Sequence, residues 1–182
     1  MSLSESMEST GPSLDIDDAG LLRLREPAHR VSPRAVRYWS ARIATVWTIL
    51  LTGQLVWALL ANDGAGAVHR WFLIGSAVLA VLEFIIEPRW RYRVHHWEVT
   101  DDAVYTKSGW ISQEWRIAPL SRVQTVDSRR GPFERMLGLA TVAVTTGSAA
   151  GAIHIEGLDQ DVADPLVDRL TRSARAARED AT

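Results

Sequence analysis

The chain of 182 residues contains no cysteine, which excludes disulfides, thiolate nucleophiles and cysteine-ligated zinc or iron–sulfur sites. Lysine is almost missing as well: of the 20 basic residues only Lys107 is not arginine, a bias that fits the codon usage of a GC-rich bacterium. Charge of one sign is not in excess, since 20 basic residues face 22 acidic ones for a net charge of −2, and no nucleic-acid-binding motif is present, so a nucleic-acid partner is not expected. The catalytic signatures are absent too. There is no G-x-S-x-G, no H-E-x-x-H and no glycine loop of the phosphate-binding kind. No spacing of Ser and His suggests a triad. The chain is therefore read as non-catalytic and free of a cofactor. The amino terminus lacks the basic segment and apolar core of a secretory signal. Residues 1–20 are instead rich in Ser and acidic, with Glu5, Glu8, Asp15, Asp17 and Asp18. They are read as a disordered tail, followed to about residue 35 by an arginine-rich juxtamembrane segment.

The most consequential absence is local. From Ile43 to Asn62, twenty consecutive residues carry no charge. At about 1.5 Å of rise per residue they reach about 30 Å as a helix, the thickness of a bilayer's hydrocarbon core. A second apolar run, Trp71–Ile86, follows after a short loop and is broken only by Glu83. Together they predict a transmembrane hairpin over residues 36–90, with spans at about 43–62 and 71–87. Arginines mark its orientation. Arg23, Arg25, Arg30, Arg34, Arg37 and Arg42 precede the first span and Arg89, Arg91 and Arg93 follow the second, whereas the loop has Arg70 against Asp63. Basic flanks stay in the cytoplasm. Both termini are thus expected on the cytoplasmic side of an inner (plasma) membrane. Trp39, Trp47, Trp57, Trp71 and Trp90 fall in or near the span ends, where indoles favour the headgroup region.

Beyond about Arg91 the period changes. Tyr92, Val94, Trp97 and Val99 alternate with polar residues, as a half-buried strand does. Asp101-Asp102 predicts a turn, and further strands are expected around Val104–Lys107, Trp110–Ile117, Val123–Asp127, Thr141–Thr146 and Ile153–Glu156. Phe133–Leu137 has room for a turn or two of helix closed by Gly138. Gly147–Gly151 reads as a hairpin loop. At about 161–178 the period becomes 3.6: Val162, Leu166, Leu170, Ala174 and Ala177 share one helical face, and Pro165 is placed in the first turn. Asp159, Asp161 and Asp164 at its start and arginines at its end complement the helix dipole. The expected fold class is α+β: a membrane hairpin, then a small antiparallel sheet or barrel over 91–178 whose apolar face is covered by the last helix.

Pro119-Leu120-Ser121-Arg122-Val123-Gln124-Thr125-Val126, followed by Gly131-Pro132-Phe133-Glu134-Arg135-Met136-Leu137-Gly138-Leu139-Ala140, resembles the bacterial pleckstrin-homology-like membrane proteins of the YdbS-like type. Arg122, Gln124, Val126, Gly131, Pro132, Arg135 and Gly138 fall on that family's pattern in order, and Val123 stands where isoleucine is commoner. The resemblance runs from about Val36 to Ala174. It implies a partly open β-barrel with a carboxyl-terminal capping helix, used as a binding scaffold. It carries no implied chemistry.

Two groups of residues remain as candidate sites. Glu83 is an ionisable residue at membrane depth, a functional hypothesis by default, and Thr45, Thr48 and Thr52 form a stripe on the first span that could hydrogen-bond it. Its plainer reading is that it holds the hairpin together. Arg122, Gln124, Arg129, Arg130 and Arg135 form a candidate interaction surface, with a solvated turn as the plainer reading of the Arg129-Arg130 pair. From Arg91 to the end there are 12 basic and 13 acidic residues, so the segment is no polybasic module for anionic lipid. His95-His96 are strand neighbours on this reading and would point to opposite faces, which disfavours a shared metal. The chain is thus expected to be a membrane-anchored cytoplasmic interaction or assembly module. Its partners would be the bilayer and another membrane protein or a second copy. The alternatives are a small transport or export component acting through Glu83, and a lipid-headgroup sensor.

Overall fold

The structure, a computed structural model, describes residues 15–16, 22–23, 27–60, 66–147 and 151–179. Apart from one short antiparallel pair, β1 (Asp15–Ile16) with β2 (Leu22–Arg23), the expected tail and the juxtamembrane segment as far as residue 26 lie outside them. So do residues 61–65 of the interhelical loop, residues 148–150 of the expected Gly147–Gly151 loop, and the side chains of Ala177 and Arg178. His29–Arg30 forms an edge strand, β3.

The two apolar runs are both helical. Helix α1 spans Arg34–Leu60 and α2 spans Gly66–Val94. They lie against each other, yet Leu59, Leu60, Trp71 and Phe72 are each more than two-thirds exposed. A soluble monomer rarely leaves so much contiguous apolar surface to water. These are helices long and apolar enough to cross a membrane. Helix α2 continues through Arg91–Val94, where a strand was expected. Four alternating residues fit either period, and the Glu87–Arg91 ion pair at i, i+4 spacing favours the helical one. Pro88 sits inside α2, and the Arg89 Nη1 group donates to the Ile85 carbonyl at 2.7 Å beside it.

The chain then builds two antiparallel sheets. β3, β4 (His96–Val99), β5 (Ala103–Gly109) and β6 (Gln113–Pro119) make a four-stranded sheet in that order. After a single 3-10 turn, Leu120–Arg122, β7 (Val123–Arg129), β8 (Leu139–Thr146) and β9 (Ile153–Asp159) make a three-stranded one. The sheets do not close into a barrel, so the barrel that the resemblance implied is open and the expected antiparallel sheet arrangement stands. Where β6 and β9 would have to pair, an Arg116 guanidinium N–H instead donates to the Ala152 carbonyl at 3.0 Å. A cavity of about 300 Å³ remains along this seam.

The short helix α3 (Pro132–Leu137) explains the glycine-rich motif. Gly131 precedes it, Pro132 starts it, and the Glu134 carboxylate turns back to accept from the Gly131 N–H at 2.6 Å. Gly138 ends it in the left-handed region at φ 66°, the conformation that a helix terminus asks of glycine. Leu139 and Ala140 then enter the core fully buried.

Helix α4 (Gln160–Glu179) follows β9 without a loop and packs on β7, β8, β9 and the 3-10 turn. Its buried face is Ala163, Leu166, Leu170 and Ala174, while Val162 is exposed. The expected face was therefore offset by one residue at its start. Because the helix begins at Gln160, Pro165 lies inside it and not in the first turn. Pro165 is exposed, so water can solvate the carbonyl group that proline leaves without a donor. The core joins Leu166 and Leu170 to Val104 of one sheet and Val142, Val144 and Ile155 of the other. A buried Leu→Ala change costs about 2–5 kcal/mol against a total stability of about 5–15 kcal/mol, and a buried carboxylate costs more. Leu170→Asp is expected to abolish cooperative unfolding of the reconstituted chain, followed by tryptophan fluorescence, while Arg172→Asp on the exposed face leaves it intact.

Candidate functional site

A ladder of polar contacts runs down the interface of the hairpin. Trp57 meets His69 edge-on at 3.9 Å between centroids. Gln54 Nε2 donates to Ser76 Oγ at 3.0 Å, and Trp47 Nε1 donates to Glu83 Oε2 at 2.6 Å. Nearest the sheets, the Arg91 guanidinium stacks 4.8 Å from the centroid of Trp39. Steps of seven and eight residues on each helix keep the lower three rungs on one face of each. The expected threonine stripe does not take part. Thr45, Thr48 and Thr52 lie at least about 100° around the helix from Trp47 and are exposed. The Thr45 hydroxyl donates back to the Ala41 carbonyl at 2.8 Å. Trp47, assigned from sequence to the headgroup belt, is the donor that Glu83 uses.

Between the helices, at the end nearest the sheets, opens a cleft of about 240 Å³. Arg42, Glu87 and Arg91 line its polar part, and Ile43, Val46 and Leu50 its apolar part. Arg91 ties the cleft to the sheets. Its Nη1 is 3.4 Å from Glu87 Oε1, its Nη2 is 3.1 Å from Glu156 Oε2 on β9, and its carbonyl accepts from both the backbone N–H and the ring Nδ1–H of His95 at 2.8 Å. His95 is buried against Trp39, 5.1 Å between ring centroids. Burial, then the nearby Arg91 cation, holds its pKa below the usual histidine value.

Helix α1 is rooted in the same region. Val31, Ala35 and Trp39 form a buried cluster backed by Tyr38, Tyr92 and Trp97. Ser32 N–H donates to the Gly157 carbonyl at 2.8 Å, and the Ser32 hydroxyl to Asp159 Oδ1 at 2.8 Å. Gly157 has φ 73°, and a Cβ added there would stand 2.6 Å from the Ala35 Cβ. Helix and strand can approach this closely only because the strand residue is glycine.

The candidate interaction surface divides in two. Arg122 and Gln124 sit at one end of β7, with Arg122 lining the seam cavity and Gln124 beside Gly147. Arg129, Arg130 and Arg135 sit at the other end, roughly 20 Å away at about 3.3 Å per strand residue. Arg130 is engaged by Asp164 of α4, and Arg129 and Arg135 are exposed. His95 and His96 face different elements, because His96 Nε2 accepts from Arg30 Nε at 3.3 Å. Among the described residues no group of three His, Asp or Glu side chains could hold a metal ion.

Residues 43–174 match the model of the bacterial PH domain. The chain belongs to the bacterial PH-domain family. The matched span takes in α1 from Ile43 onward, all of α2, and both sheets apart from the edge strand β3. Transmembrane protein YdbS of Bacillus subtilis is 31% identical over 165 residues, which cover 85% of this chain and 98% of YdbS. No solved structure matches. The chain is thus a membrane-associated PH-like protein. Its family motif now has a physical account, since Gly131, Pro132, Glu134 and Gly138 shape α3. Glu134, buried and also accepting from the Thr141 hydroxyl at 2.7 Å, went unremarked in the sequence. So did Arg91 as a hub, although the i, i+4 spacing of Glu87 and Arg91 was there to be seen.

Because its pKa is lowered on folding, His95 stays neutral in the native state while the unfolded chain takes up a proton below about pH 6.5. Its contribution is therefore whole above that value and is lost as the pH falls through it. Melting curves of the reconstituted protein between about pH 8 and pH 5 should show stability falling on acidification, and His95→Gln should flatten that fall.

Proposed function

We propose that this protein crosses the inner membrane twice with both termini in the cytoplasm, and that its PH-like domain is a non-catalytic interaction or assembly module. The observation that carries this reading is the burial of Val31, Ala35 and Trp39 against the sheets. The first membrane helix is part of the domain's core, so the domain is held at a fixed attitude to the bilayer. A scaffold fixed in that way presents the same surfaces to any other protein in the membrane plane, whether a different membrane protein or a second copy. The arginines on both cytoplasmic flanks support the orientation. The surfaces on offer are the seam beside Arg122 and Gln124 and the α3 end with Arg129 and Arg135.

A transport role through Glu83 is the second reading, favoured by the position of that carboxylate on the wall of the interhelical cleft. The Trp47 hydrogen bond argues for a holding role instead. A lipid-headgroup sensor built on Arg129 and Arg135 is the third.

Polar contacts between membrane helices contribute about 0.6 kcal/mol on average, too little to decide insertion of two long apolar spans. Glu83→Gln keeps the hydrogen-bonding shape and removes the charge. It should leave abundance and co-purifying proteins, identified by mass spectrometry, at wild-type levels, and should restore any phenotype of a deletion strain. Normal abundance with a lost phenotype would favour transport. In the same cells, Gly64→Cys should react with an impermeant thiol reagent, and a reporter active only outside the cytoplasm should stay silent when fused after Thr182. An active reporter would reverse the orientation.

A further inference from the structure

Ile111 is 84% exposed, the most exposed of the large apolar side chains among the described residues, although it lies between two strands and not in the membrane helices. It sits beside Trp110 in the turn between β5 and β6. From Lys107 to Gln113 the sequence is KSGWISQ, with one charge, and that positive. The turn is built tightly. Gly109 has φ 135°, and a Cβ there would fall 1.9 Å from the Ser112 carbonyl oxygen. Its shape thus depends on glycine and leaves Ile111 projecting.

The topology says where it projects. β4 starts two residues after α2 ends, the turn at its far end is held at Asp101 by Arg169 of α4, and β5 returns antiparallel to β4 with Lys107 opposite His96. Lys107 is therefore level with the end of α2, and β5 packs against that helix. Past Lys107 the chain runs on for three or four residues, roughly 10 Å at about 3.3 Å each. Along a helix that distance is about seven residues, which brings the turn to the level of Glu87 to Trp90. There the apolar span gives way to charged residues, so this is the headgroup layer. Lys107, with its ammonium 4.9 Å from the Trp115 ring centroid, stands at the base of the turn, and Arg93 is exposed in the last turn of α2.

We propose that the Trp110-Ile111 turn dips into the headgroup region of the same membrane that the hairpin spans, as a second, non-helical contact between the domain and the bilayer. Apolar and indole groups flanked by cations suit that layer. Its occupant is lipid, continuous with the lipid around the two helices. The proposal rests on the membrane-anchored reading above, and it accounts for an isoleucine that nothing in the fold covers.

The absence of cysteine makes the test direct, because a single introduced cysteine is a unique labelling site. Ile111→Cys, Val56→Cys on the exposed side of α1 and Arg175→Cys on α4 would each carry an environment-sensitive NBD fluorophore. Each would be placed in nanodiscs of phosphatidylethanolamine and phosphatidylglycerol containing nitroxide-labelled lipid. The label at position 111 should be blue-shifted, and should lose more intensity to a nitroxide near the headgroup than to one deep in the acyl chain. The label at 56 should show the opposite depth preference, and the label at 175 no quenching. A water-like spectrum at 111 beside a quenched label at 56 would overturn the proposal. So would a blue shift at 111 without quenching, since it would mean burial against protein. An unquenched label at 56 would remove the membrane anchor itself and the proposal with it.

Discussion

The packing of Ala35 on Gly157 is the contact on which the rest of the molecule depends. A helix can lie this close to a strand only where the strand offers no Cβ, and 2.6 Å is the separation that a Cβ at Gly157 would have from that of Ala35. The close approach lets Val31, Ala35 and Trp39 share a core with Tyr92 and Trp97. Losing a fully buried tryptophan costs about 3–5 kcal/mol, so Trp39 alone accounts for a large part of a small domain's stability. One continuous helix therefore begins in the protein core and ends in apolar surface suited to lipid. No flexible linker intervenes between membrane anchor and PH-like domain.

Arg91 performs the matching task for the second helix. Its guanidinium joins Glu87, one turn earlier on α2, to Glu156 of β9 while lying over Trp39. Charges taken partly out of water interact more strongly than they would in bulk solvent, and with Trp39 the four side chains come from three elements. The network fixes the angle at which α2 enters the sheets. Further down, Trp47–Glu83 and Gln54–Ser76 hold the two helices in register. A polar group facing lipid is costly, so each partner is best satisfied by the other across the interface. The family match over residues 43–174 spans helices and sheets alike, in keeping with a hairpin that is structurally inseparable from its domain.

Much of this architecture was readable from the amino acids. Uncharged length gave the two helices, and alternation gave most strands. Glycine and proline placed the α3 turn, and a 3.6-residue period placed α4. What escaped were contacts between segments far apart in sequence. Nothing local distinguishes Trp39, buried against the sheets, from a tryptophan of the headgroup belt. Arg91–Val94 satisfied a strand period over four residues, too short a window to reject a continuing helix. Ala163 displaced Val162 from the core because α4 starts directly from β9. The threonines were placed against Glu83 by spacing along their own helix, whereas the partner helix faces Trp47. Arg122 and Arg135 looked like one surface in sequence, and the length of β7 separates them. His29–Arg30 read as part of the arginine-rich juxtamembrane segment because two residues carry no period at all.

The rooted helix is tested most directly by a double-mutant cycle between Gly157→Ala and Ala35→Gly, with unfolding of the reconstituted chain as the readout. Gly157→Ala alone should destabilise strongly, through both the positive φ and the clash. The helix-propensity cost of Ala35→Gly cancels within the cycle. If α1 is packed on β9 as described, removing the Ala35 methyl should relieve part of the Gly157→Ala penalty, giving a coupling of about 0.5–3 kcal/mol. Strict additivity of the two substitutions would contradict the account, because it would mean that the base of the membrane helix does not touch the sheet.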